Sequence, residues 1–319
     1  MQPLAGVRVV EAGQMISAPM AGVIMAEQGA EVIKVELADG VGDRMRQLGS
    51  QRNSMSALFN SVNRGKRSVT VDTKHPDGLQ ALLDLCATAD VFLQNFRPGA
   101  ADRMGVGEAH LRAVNPDIIY VSVSGFGSTG PKAEQKVYDY VIQAMTGMAD
   151  LQQGDTGAPQ LVRQFIVDKT TAITVSQAIT AALFARERGR GGQHVELSML
   201  DIGLWCFWPD GMMDRSLHGD GVVEASHFAD MYSIRPTRDG AVAFVASGNR
   251  IALPPLHGKI PVQHVEHLGI AGITRLASAR LPARHLGHAH PTGAHLDQDL
   301  VCPRHRDCLL YTSDAADED

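Results

Sequence analysis

From Leu4 to Met199 the apolar positions follow two alternating rhythms. Short runs dense in Val, Ile and Leu are each followed by a longer segment with apolar residues every three or four positions, the marks of a buried strand and an amphipathic helix. Val7–Glu11 reads as the first strand, and Ser17 with Pro19 opens a helix in the usual N-terminal style. Gly29 closes that helix and Glu31–Glu36 is the next strand. Ser68–Asp72, Asp90–Gln94, Asp117–Ser122 and His194–Met199 give four more strands. Pro76–Thr88, Gly107–Val114, Lys136–Met148 and a long helix from Asp168 to Arg188 supply helices between them. Strands that alternate with helices imply an α/β fold with a parallel sheet covered on both faces. Residues 39–65 are polar and glycine-rich without a period, and read as one long surface loop.

After Met199 the run LDIGLWCFWPDGMM is apolar nearly all round and predicts a buried core helix, too short to span a bilayer. Tyr232–Ile234 and Ala241–Val245 flank Arg238-Asp239-Gly240, a hairpin signal. Beyond Asn249 the pattern stops. Eight of the 13 histidines lie from His257 onward, and Lys259 is the only lysine there. His285-x-x-His288-x-His290 has no acid or cysteine cluster beside it, so it reads as a composition effect and not a metal site. The expectation is a large domain over 1–225, the start of a second, incomplete domain over 226–249, and a tail over 250–319 with no domain. That tail reads as out of the natural frame, its closing CLLYTSDAADED resembling translated adapter.

Composition narrows the function classes. Of 319 residues, 44% are hydrophobic and 20% charged, enough for an ordinary core. A net charge of −6 gives no basic footprint, so no nucleic-acid partner is expected. No apolar run approaches a membrane span and the N-terminus lacks a secretory pattern, so the expected location is cytoplasmic, with no membrane contact. Cys86, Cys206, Cys302 and Cys308 are scattered without metal spacing, which fits a reducing compartment.

The candidate chemistry centres on Asp168, placed where the long helix begins. Two compatible roles fit it. It can cap the helix by accepting from free first-turn N–H groups. It can also be a nucleophile, because a helix N-terminus favours the ionised carboxylate and a carboxylate can attack an activated carbonyl. Gly125-Phe126-Gly127-Ser128-Thr129-Gly130 matches a dinucleotide fingerprint in form, but Pro131 and a polar stretch follow it instead of a helix, so it reads as a flexible loop.

Several motifs in order carry a resemblance. They are Leu4–Glu11, Ala18-Pro19, Gly29–Glu36, Gly65-Lys66-Arg67-Ser68, Asn95-Phe96-Arg97-Pro98-Gly99, Lys136-Val137-Tyr138-Asp139, Asp168 and Gly189–Gln193. Over residues 1 to 249 the chain resembles the class III CoA-transferases, a family that also holds the 2-methylacyl-CoA racemases. The resemblance implies a Rossmann-like parallel sheet in the large domain and an interlocked homodimer. It implies that coenzyme A moves from an acyl-CoA to a free carboxylic acid, through an aspartyl-acyl anhydride and an aspartyl–CoA thioester on Asp168. CoA contacts would fall on Val71, Asp72, Thr73, Lys74, Asn95, Phe96, Arg103, Lys136, Tyr138 and Asp139, with CoA a substrate and no tightly bound cofactor or metal. Lys and Arg would meet the phosphates and Phe96 the adenine. The chain departs from the formyl-CoA transferase pattern at Ile16-Ser17, where that pattern has Gln-Ala, and at Leu37, where it has Arg. Two alternatives stay open. The racemases carry a histidine where this chain has Tyr138, a poor base near neutrality; and the chain can be an inactive CoA-binding remnant.

Overall fold

The computed structural model describes residues 2–53, 55–153, 157–223, 225–236, 241–245 and 273–276. They fall into two compact units, Met1–Met213 and Asp214–Asp319. Apart from residues 273–276, the tail, on which the out-of-frame reading and the histidine cluster fall, lies outside the described residues.

The first unit is built on strands β1 (Arg8–Glu11), β2 (Glu31–Leu37), β5 (Arg67–Val71), β6 (Val91–Gln94), β7 (Ile119–Ser124) and β8 (His194–Ser198). All pair parallel in the order β5-β2-β1-β6-β7-β8. Counting only these six, the chain runs outward from β1 to one edge, then restarts beside β1 and runs to the other. That order is the doubly wound, Rossmann-like arrangement, and its switch point lies between β1 and β6. The α/β reading holds.

Alternate residues divide the core. Val9, Val91, Leu93, Ile119 and Val121 share one apolar cluster with Ala18, Ala21 and Met25 of helix α1 (Ser17–Glu27) and with Ala172, Val175 and Ile179 of helix α8 (Ile166–Ala185). Val10, Val71, Phe92 and Tyr120 pack instead with Leu82 and Cys86 of α3 (Pro76–Ala87) and Leu111 of α5 (Glu108–Val114). Small residues on α1 and α8 let these two helices lie side by side.

Three expectations change. Residues 39–65 are not one loop. They hold a 3₁₀ turn at Arg44–Gln47, the short strands β3 (Gln51–Arg52) and β4 (Met55–Ser56), and helix α2 (Ala57–Asn63). Met45, Phe59 and Val62 from this stretch form a small core with Ile16. The Lys136–Met148 helix starts later, as α6 (Asp139–Met145), and breaks at Gly147, whose φ of 90° lets the chain turn into the short α7 (Met148–Leu151). Helix α9 (Met199–Gly211) is not buried all round. Met199, Ile202 and Phe207 face inward, while Trp205 is 76% and Trp208 52% exposed.

In the second unit, β9 (Tyr232–Pro236) pairs antiparallel with β10 (Ala241–Val245), as the hairpin reading expects. β11 (Ile273–Leu276) adds to β10 in the same sense.

Candidate active site

In a parallel sheet of this kind the strand carboxyl ends form one edge, and loops there carry ligands. Loop 12–16 leaves β1 at that edge, and the first turn of α8 comes back to it. Asp168 lies in that turn, as the third residue of the helix; position N-cap is Phe165, without a side-chain cap. The capping role expected of Asp168 therefore belongs elsewhere. Asp139 supplies it: its Oδ2 accepts from the Asp168 backbone N–H at 2.8 Å, and its Oδ1 accepts from Gln143 Nε2 at 2.6 Å. One buried carboxylate thus joins the start of α6 to the start of α8.

The Asp168 side chain makes a separate contact. Its Oδ1 accepts a hydrogen bond from the Ser17 hydroxyl. Burial pushes its carboxyl up to about 6; Ser17 pulls it down, and the nearby Asp139 charge pushes it further up. The helix N-terminus was expected to favour ionisation. Desolvation outweighs it. The outcome is a carboxylate that is ionised at neutral pH, yet more basic than an exposed one.

The loop that presents Ser17 is held at three successive residues. Lys34 Nζ donates to the Gly13 carbonyl at 2.7 Å. The Asn95 amide takes both backbone groups of Gln14, each at 2.8 Å. Asp43 Oδ1 accepts from Met15 N–H at 3.2 Å. Met15 itself sits at φ 66°, a conformation that a non-glycine residue adopts only when its surroundings enforce it. Gly13 allows the tight path: a Cβ there would lie 2.6 Å from the Ala18 Cβ and 2.8 Å from Glu11 Oε1.

Beneath the loop lies a buried charge network. Lys34 Nζ meets Glu11 at 3.3 Å and Asp43 at 2.9 Å. Lys66 Nζ meets the other Glu11 oxygen at 2.7 Å and donates to the Pro19 and Val62 carbonyls and Asn63 Oδ1. Two cations and two carboxylates balance. Burial opposes the Lys34 charge, but Glu11 and Asp43 hold its ammonium above the ordinary lysine range. Burial wins at Lys66, whose ammonium is brought down to about 8. Beside them Glu36 is held down to about 2: burial opposes this, and Arg46, the Asp43 N–H and Ser68 outweigh it.

The other expected site residues divide. Val71 ends β5 and Asp72, Thr73 and Lys74 follow it, and Asn95 and Phe96 follow β6, so both groups lie at the carboxyl edge. Lys74, Arg103 and Lys136 are exposed. Phe96 is half-buried against the second core cluster. Tyr138, at the N-cap of α6, is 60% exposed. The side-chain amide of Asn95 bonds the backbone of Gln14, and the carboxylate of Asp139 bonds Gln143 and the Asp168 backbone. Sequence reasoning notes Ser17 as a helix opener and as part of the Ile16-Ser17 departure, and does not pair it with Asp168. The signal available was its place just after a central strand's carboxyl end. Among the described residues no cluster has the makings of a metal site.

Comparison with known proteins agrees with this picture. A succinate–glutarate CoA-transferase from Agrobacterium fabrum is 38% identical over 207 residues, covering 63% of this chain and 52% of that protein. A formyl-CoA:oxalate CoA-transferase from Rhodopseudomonas palustris is 39% identical over 199 residues, 62% of this chain and 46% of that one. The chain thus spans about half the length of the curated relatives it matches. Among solved structures, a CAIB/BAIF family protein from Brucella suis superposes with a TM-score of 0.69 at 32% identity, covering 76% of this chain and 66% of that one. Rv3272 from Mycobacterium tuberculosis gives 0.66 at 33% identity, covering 77% and 65%. The family model for CoA-transferase family III matches residues 4–254, and the chain belongs to that family.

Proposed function

We propose that this chain moves coenzyme A from an acyl-CoA to a free carboxylic acid, with Asp168 as the nucleophile. One observation carries the reading: a half-buried carboxyl at the sheet's carboxyl edge, raised to about 6, with its backbone capped by Asp139 and one oxygen held by Ser17. A carboxylate of that basicity is ionised at neutral pH and is a better nucleophile than an exposed one.

In the first step the Asp168 carboxylate adds to the thioester carbon, the C–S bond breaks, and CoA leaves as thiolate with a mixed anhydride behind it. The thiolate then adds to Cγ of Asp168 and expels the donor acid, which gives an aspartyl–CoA thioester. The acceptor carboxylate adds to the same Cγ and expels the thiolate, forming the second anhydride. Attack of the thiolate on the acceptor's acyl carbon releases the new acyl-CoA and restores the Asp168 carboxylate. No proton is gained or lost over the cycle, and the activation of the first thioester is kept, passing from the acyl group to the Asp168 carbonyl in the aspartyl–CoA thioester and then to the acceptor.

Lys74, Arg103 and Lys136 are offered as the phosphate contacts and Phe96 as the adenine platform, with Val71–Thr73 and Tyr138 lining the same edge. Asn95 and Asp139 act by holding that edge in place. The proposed assembly is an interlocked homodimer, for which Trp205 and Trp208 on α9 offer an apolar face. The proposed location is the cytoplasm; among the described residues no helix is long and apolar enough to cross a membrane.

Hydroxylamine trapping tests the covalent step. Incubated with an acyl-CoA and hydroxylamine, the wild-type chain is expected to acquire a hydroxamate at residue 168, and Asp168→Ala none. A wild-type chain that binds CoA without forming the adduct is the inactive remnant. Deuterium wash-in at the α-carbon of a 2-methylacyl-CoA, without acceptor acid, would instead establish racemase chemistry.

A further inference from the structure

We propose that the Ser17 hydroxyl is a catalytic hydrogen-bond donor, holding the oxygen of the aspartyl carbonyl while a nucleophile adds to Cγ. This rests on Asp168 being the nucleophile and assigns a role that the Asp168 chemistry alone leaves empty.

The geometry points there in three ways. Ser17 Oγ already donates to Asp168 Oδ1, the oxygen that remains as the carbonyl once the other is acylated. Ser17 is 3% exposed, and its other neighbour in reach is Met199 Sδ at 3.9 Å, a weak acceptor. The hydroxyl proton is therefore committed to Asp168. The loop that carries it is fixed by Lys34, Asn95 and Asp43 at the residues just before it, so the donor needs no reorganisation when charge develops.

The chemistry gives the bond a purpose. When thiolate adds to Cγ of the anhydride, the carbonyl electron pair moves onto Oδ1 and a tetrahedral oxyanion forms. Its collapse breaks the bond from Cγ to the acyl-bearing oxygen and releases the donor acid as carboxylate. When the acceptor carboxylate adds to the thioester, the same oxyanion forms and collapses with loss of CoA thiolate. Ser17 keeps its proton throughout. In the resting carboxylate the charge is shared by two oxygens; in each adduct Oδ1 carries it alone, so the bond strengthens where rate is decided.

The test is the rate at which the full 319-residue chain gains the mass of CoA at residue 168 when mixed with acyl-CoA alone, followed by intact-protein mass spectrometry. Ser17→Ala is expected to slow adduct formation about 100-fold, as loss of one oxyanion donor does, with KM for acyl-CoA changed less than about threefold. Ser17→Cys keeps a weak donor in the same place and is expected to recover part of the rate, which also guards against misfolding of the alanine variant. Adduct formation in Ser17→Ala within about threefold of wild type, with none in Asp168→Ala, overturns the Ser17 role and leaves the nucleophile standing. No adduct in the wild-type chain removes the nucleophile and this inference with it.

Discussion

At the scale of single residues, the role proposed for Asp168 works against stability. Its carboxyl is raised from 3.8 to about 6 chiefly by burial. A group whose folded value is raised adds stability below its unfolded value and loses it as pH rises through the folded one, so ionised Asp168 costs about 2–3 kcal/mol above pH 6. Asp168→Asn removes the charge and keeps the shape. Thermal melts are expected to show the variant more stable than wild type at pH 7.5, with the gain shrinking through pH 6 and gone below about pH 4. Equal melting points at both ends would show the carboxyl to be solvated. The same carboxyl sets an activity limb: kcat/KM is expected to fall as pH drops through about 6, because only the ionised form attacks. The place of Asp168 in a first helical turn was legible in the sequence because an acid stood at the head of a strongly periodic helix. Its cap was not legible, because Asp139 reaches it from 29 residues away, and no local pattern records such a distance.

At the scale of elements, the strands and crossover helices could be read because each needed only its own apolar rhythm. Helix α2 escaped because it is one short stretch with two buried residues, Phe59 and Val62, inside a polar segment. The charge network was readable in principle. Central parallel strands are near-continuously apolar, yet β1 ends in Glu11 and β2 carries Lys34 and Glu36. A charge at such a place calls for a partner. Removing one partner leaves the others buried and unbalanced, so Lys34→Met is expected to cost about 3–5 kcal/mol in chemical denaturation. The Lys34→Met/Glu11→Gln double variant is expected to cost less than the sum. Additive costs would show that the two side chains do not act as a pair.

At the scale of the molecule, apolar periodicity gave the right sheet and overstated the burial of α9. A helix apolar on all sides was read as core, but the first unit covers only one of its faces. The large side chains on the other, Trp205 and Trp208, are the ones a second copy would bury. Sedimentation velocity is expected to find a dimer, and Trp205→Asp to shift it toward monomer without changing far-UV circular dichroism. A wild-type monomer at micromolar concentration would remove the assembly proposed above.

The carboxylate of Asp139 ties these scales together. It belongs to α6, whose Tyr140, Val141 and Met145 lie on the outside, yet it grips the main chain of the proposed nucleophile. Whatever seats itself against that outer face presses on a lever whose short arm is a single N–H···O contact. Under the proposed chemistry, acyl transfer and docking on this helix are coupled through that contact, because a shift of α6 carries the backbone of Asp168 with it.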